Sequence, residues 1–132
     1  QTADILHFQN SLWANVRNGG VARCAGCHGV TQNPLFARDD DVNLAWEAAD
    51  PLINRNDPGS SRIVQKMASG HNCWLGSNQG AVQACATTMQ AWVEAWLDGS
   101  GTGGTRQIQT ESPHRNSLRN CGDATPGFRL CC

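Results

Sequence analysis

The tightest constraint on this chain is the stretch Cys24-Ala25-Gly26-Cys27-His28, two thiols two residues apart followed at once by an imidazole. A fold that accommodates it must bring both sulfurs and the adjoining ring to one side of a single group. The spacing is that of c-type haem attachment. In that chemistry the thiols add across the two vinyl groups of one haem, and the histidine below the ring offers a nitrogen to the iron. Cys24, Cys27 and His28 are therefore the first candidate site residues. One haem c per chain is the expected cofactor, with His28 as proximal ligand.

Two other uses of the motif compete with this one. A structural zinc site wants a second Cys or His pair at close spacing, whereas Cys73 and Cys85 stand apart with no second Cys-x-x-Cys. A thioredoxin-like dithiol sits at the end of a strand in a βαβ pattern, and no strand pattern precedes Cys24. Haem is the favoured reading.

At 132 residues the chain is one domain's worth, and its net charge of -1 comes without a basic stripe. That excludes the electrostatic footprint of a nucleic-acid binder. No apolar run approaches the length needed to span a bilayer. A start at Gln1 together with seven cysteines leads to the expectation of a mature, exported protein in the periplasm or outside the cell. Setting Cys24 and Cys27 aside leaves five cysteines, so an odd thiol is expected to be free or to pair with another chain.

Helical periodicity recurs along the chain. Ile5, Leu6, Phe8, Leu12, Trp13 and Val16 repeat at three- and four-residue intervals, predicting an amphipathic helix over 4–17, capped by Thr2 or Asp4 and stopped by Asn18-Gly19-Gly20. Gly29 to Asp41 lacks a period and reads as a loop anchored by Leu35 and Phe36. Asp39-Asp40-Asp41 precedes a short helix over 42–49 and reads as a cap at the positive end of its dipole rather than a metal site. Asp50-Pro51 ends that helix.

Asp57-Pro58-Gly59 marks a turn. Ser60 or Ser61 is then expected to cap a helix through Arg62–Ala68, with Ile63, Val64 and Met67 inward and Gly70 beyond its end. A last helix is predicted over 81–97, carrying Val82, Cys85, Met89, Trp92, Val93, Trp96 and Leu97 on one stripe. A Cys73–Cys85 disulfide would staple the intervening loop to its start. Residues 100–105 read as a flexible linker. Residues 106–132 read as an irregular tail tied through Cys121, Cys131 and Cys132, one of them directed outward. The cytochrome-like unit is accordingly placed at 1–99.

A first helix, then Cys-Ala-Gly-Cys-His, short helices and a last helix bearing Trp92 and Trp96 is similar to the class I c-type cytochromes, over roughly residues 3 to 99. The resemblance implies an all-α fold whose first and last helices cross beside one covalent haem. Cys27-His28-Gly29, Ser61-Arg62-Ile63-Val64 and His71-Asn72-Cys73-Trp74 also resemble the small single-haem modules appended to secreted bacterial polysaccharide-active proteins. Those modules imply electron exchange with a polysaccharide-oxidising copper enzyme.

The chain departs from the family at the distal ligand, because no Met-Pro occurs anywhere. His71, in the loop after the helix over 62–68, is the favoured distal ligand, with Met89 and Met67 as alternatives. His7 on the leading helix and His114 in the tail are disfavoured. Two axial ligands close the iron to substrate, so the expected function is electron transfer and not catalysis, with a low-to-intermediate potential if His71 binds. The five tryptophans read first as core packing, and second as a shield that keeps water from the haem. The alternatives carried alongside are an open distal site serving gas binding or peroxidase-like chemistry, and an assembly of cytochromes joined through the tail. The expected partner is a redox protein met in weak, transient contact.

Overall fold

Thr2 starts the first helix, its side-chain oxygen accepting the Ile5 N–H at 3.3 Å and so pairing one of the donors that a helix N-terminus leaves open. The computed structural model describes residues 1–17 and 23–99. In it, α1 (Ala3–Phe8) runs through a π turn at Gln9–Trp13 into α2 (Ala14–Arg17). The expected amphipathic helix is therefore one rod with a widened turn inside it. The Ser11 hydroxyl donates to the His7 carbonyl at 2.5 Å, and the Asn15 amide donates to the Ser11 carbonyl at 2.6 Å. Such bonds to the carbonyl four residues back compete with the regular helical ladder.

The other elements follow in order: α3 (Ala25–His28), α4 (Val42–Ala49), α5 (Arg62–Ala68) and α6 (Gln79–Gly99), with 3-10 turns at Asp50–Leu52 and Pro58–Ser60. Among the described residues every regular element is helical, as an all-α fold requires. None of these helices is long and apolar enough to cross a membrane. The stop at Asn18-Gly19-Gly20, the linker 100–105 and the tail 106–132, including His114, Cys121, Cys131 and Cys132, lie outside the described residues.

The acidic run divides its labour. Asp41 caps α4 by accepting the N–H groups of Asn43 and Leu44 at 2.8 and 3.2 Å. Asp40 takes a two-bond fork from Arg38 at 2.7 and 2.6 Å, and that guanidinium holds its carboxyl down at about 2. At the far end of α4, Pro51 tightens the chain into the 3-10 turn.

Ser61, expected to cap α5, stands at its N-cap position without making the capping bond. Its hydroxyl oxygen instead accepts the Asn54 N–H at 2.9 Å, and the Asn54 side-chain oxygen accepts the N–H groups of Asn56 and Asp57. Turn closure across seven residues has taken the hydroxyl that a local cap would have used.

α6 lies along both α1 and α5. Phe8 and Trp96, both wholly buried, meet with ring centres 4.9 Å apart. Leu12, Val16, Met89 and Val93 complete the seam at zero exposure. Gly99, the last residue of α6, sits against the His7 ring with no room for a Cβ.

Asp4, considered above as a helix cap, joins distant segments instead. Its carboxylate accepts the Trp96 indole N–H at 2.6 Å and the Trp46 indole N–H at 3.1 Å, and pairs with Arg55 at 3.0 Å. Arg55 also reaches Asp50 at 2.6 Å. Asp4→Ala leaves two indole donors unpaired and is expected to cost about 2–3 kcal/mol of unfolding free energy, while Asp4→Asn, which keeps an acceptor, costs less. Denaturant titration checks this. An alanine variant as stable as the parent contradicts the role given to this carboxylate.

Candidate functional site

The motif folds into α3, a single helical turn. The Cys24 carbonyl accepts the N–H of His28 at 2.8 Å, and the Cys27 carbonyl accepts those of Thr31 and Gln32 at 3.0 and 2.9 Å. Gly29 follows so closely on this turn that a Cβ there would strike the Ala25 carbonyl oxygen. The loop then turns back, and the Ala37 N–H reaches the His28 carbonyl at 3.1 Å.

That return path fixes the His28 ring. Its Nδ1 lies 2.9 Å from the Pro34 carbonyl oxygen and 3.0 Å from that of Gln32. Both neighbours only accept, so Nδ1 carries the proton, and in the neutral ring the lone pair lies on Nε2. Phe36 stacks against the ring with centres 4.8 Å apart. His28 is 8% exposed.

His71 is placed by the end of α5. Gly70 adopts φ +85°, its N–H bonds the Met67 carbonyl at 3.0 Å, and the His71 N–H bonds the Lys66 carbonyl at 3.1 Å. This pair of bonds across a left-handed glycine is a Schellman C-cap, so His71 emerges from a defined turn. Asn72 continues it at φ 48°. Cys73 then pairs with Cys85 of α6, their Cα atoms 5.8 Å apart, as the spacing allowed. The segment bearing His71 is tied at one end to α5 and at the other to α6.

His28 and His71 line one cavity of about 840 Å³, their ring centres 6.5 Å apart. Two imidazoles bound on opposite sides of one metal, each through a nitrogen at about 2 Å, have ring centres roughly 6 Å apart. Burial, the His28 ring and the Lys66 ammonium together hold His71 below the ordinary imidazole range, which keeps its lone pair available. Leu35, Phe36, Leu52 and Ile63 give the cavity apolar walls, and Cys24 reaches it as well. Cys27, 7% exposed, is not among its lining residues and is disulfide-bonded. Among the described residues no three His, Cys, Asp or Glu side chains gather as a metal-chelating group.

Met67 and Met89 both line the same cavity, buried at 2% and 0% exposure. Each also belongs to the core. His7, by contrast, lies on α1 outside the cavity.

The tryptophans answer to packing and not to shielding, for none of the five lines the cavity. Trp96 packs on Phe8, Trp74 stacks on Trp92 at 5.5 Å, and the Trp46 indole bonds Asp4. The Trp13 indole holds the Arg38 carbonyl at 3.0 Å and so pins the loop after His28.

Sequence reasoning overlooked the two carbonyls that orient His28 and the charged groups at the cavity edge, Arg38, Glu47, Arg62 and Lys66. A signal for the last pair was present, since Arg62 and Lys66 are four residues apart and therefore share a helix face. Compared with protein-family models, curated proteins and solved structures, the chain gives no match.

The C-cap supplies a prediction of its own. Gly70→Ala forces a side chain into the left-handed region and is expected to cost about 1 kcal/mol. Thermal unfolding reads this loss. A variant matching the parent would mean that Gly70 does not hold the turn before His71.

Proposed function

We propose that this protein is an electron-transfer cytochrome carrying one covalently attached haem c, whose iron His28 and His71 would hold. The observation that carries the reading is the pair of imidazoles 6.5 Å apart in one cavity, one of them belonging to the Cys-Ala-Gly-Cys-His turn. The cavity volume falls within the ~300–1,000 Å³ typical of cofactor sites, and the walls are mainly apolar.

When bound, the haem supplies a one-electron Fe(II)/Fe(III) couple. The residues of the chain do the rest. Cys24 and Cys27 would hold the group through their sulfurs, each as a thiol adding across one vinyl group, and Cys27, disulfide-bonded here, would be available for this only after an external thiol reductant had returned it to the thiol. His28 presents Nε2 while the carbonyls of Pro34 and Gln32 hold its Nδ1 proton, an arrangement that raises ligand basicity. His71 presents the second imidazole from its capped turn. Leu35, Phe36, Leu52 and Ile63, which line the cavity, would limit water around the bound group. Were His28 and His71 both to hold the iron, no site would remain for substrate, which favours a carrier over an enzyme.

The Cys73–Cys85 disulfide supports an oxidising compartment, the periplasm or the cell exterior. The partner in this reading is an exported redox protein, and the sequence resemblance points to a polysaccharide-oxidising copper enzyme.

Optical and electron-resonance spectra of variants test the ligand pair. His71→Ala is expected to turn a low-spin ferric spectrum high-spin and to open the ferrous form to carbon monoxide. Met89→Ala is expected to leave the spin state unchanged. A low-spin His71→Ala protein, or a Met89→Ala protein that becomes high-spin, overturns the assignment.

A further inference from the structure

Arg62 and Lys66 stand one turn apart on α5, and both side chains line the cavity at its exposed edge. Five other titratable or charged groups share that cavity: the Cys24 sulfur, Arg38 from the loop, Glu47 from α4, and the imidazoles of His28 and His71. Arg38 is committed to Asp40 through its two-bond fork. Glu47 repels any anion placed against α4. The ion pairs among the described residues involve neither Arg62 nor Lys66. The cavity thus offers two uncommitted cations on one face of one helix.

A haem brings a matching need. Its vinyl groups and its two propionates lie on opposite halves of the macrocycle, so attachment through Cys24 and Cys27 directs both carboxylates to the far half. Carboxylates drawn toward an apolar wall are costly unless paired. Resting on the haem reading above and extending it, we propose that Arg62 and Lys66 clamp the two haem propionates and so fix how the ring is turned within the cavity. Arg62, with its planar fork, is suited to hold one carboxylate through two bonds; Lys66 is suited to hold the other as a point charge. Glu47 disfavours the inverse placement against α4.

The test uses the haem-loaded protein and two readouts, the propionate bending bands in the resonance Raman spectrum and the midpoint potential. Arg62→Gln is expected to shift one propionate band to the position of a weaker hydrogen bond, with Arg62→Lys recovering part of the shift. Lys66→Gln is expected to move the other band. Loss of each cation also disfavours the ferrous form, lowering the ferrous-to-ferric ratio at fixed applied potential about two- to fivefold, as suits a solvent-edge ion pair. Arg38→Gln, at the same cavity edge but bound to Asp40, is expected to leave both bands in place. A low-spin, haem-loaded protein whose bands ignore Arg62 and Lys66, or respond equally to Arg38, overturns the clamp alone. A chain that never acquires covalent haem overturns the clamp together with the reading beneath it.

Discussion

The Asp4 carboxylate is the joint on which the remaining geometry depends. By accepting the Trp96 indole at 2.6 Å it fixes α1 against α6, beside the buried contact of Phe8 with Trp96. Trp46 and Arg55 meet the same carboxylate, so α4 and the turn after it are held to that crossing. α6 in turn carries Cys85, whose bond to Cys73 anchors the segment that presents His71. One carboxylate and one disulfide thereby link the helix crossing to an imidazole at the cavity.

The two histidines are positioned by different devices. His28 is held through its side chain, its Nδ1 proton caught between two backbone carbonyls and its ring stacked on Phe36. His71 is held through its backbone, by a left-handed glycine and two terminal bonds of α5. The first device sets the tautomer and the second sets the direction of the chain. Both act before any ligand is considered, so the separation of the rings is a property of the fold. This spacing, with both rings lining one cavity, is the observation on which the proposed ligand pair rests.

What the sequence disclosed was mostly local. Ile63, Val64 and Met67 turned inward on α5 as their spacing required, Asp41 capped α4, and Gly70 ended α5 where a glycine was expected. The Cys73–Cys85 pairing was also visible as a candidate, because both ends of its loop were marked. Of Thr2 and Asp4, the two residues offered as caps for the first helix, Thr2 takes that place; the other role of Asp4 was hidden because its partners Trp46 and Trp96 lie 42 and 92 residues away. Ser61 was misjudged for a related reason, since the turn from Asn54 competes for its hydroxyl. The tryptophans read first as core packing, and indole N–H groups and ring stacking hold them at the helix seams. Periodicity marks the buried stripe of a helix, but it does not say which buried side chains face a cavity and which face another helix.

The central claim is that Cys24 and Cys27 carry a haem and that His28 lies beneath it. Mass spectrometry of the peptide spanning Cys24–His28, from protein matured in a host with c-type haem attachment, tests that claim most directly. The account predicts one haem per chain, joined to both sulfurs of that peptide. An unmodified peptide, or one in which Cys27 remains in a disulfide, would contradict it.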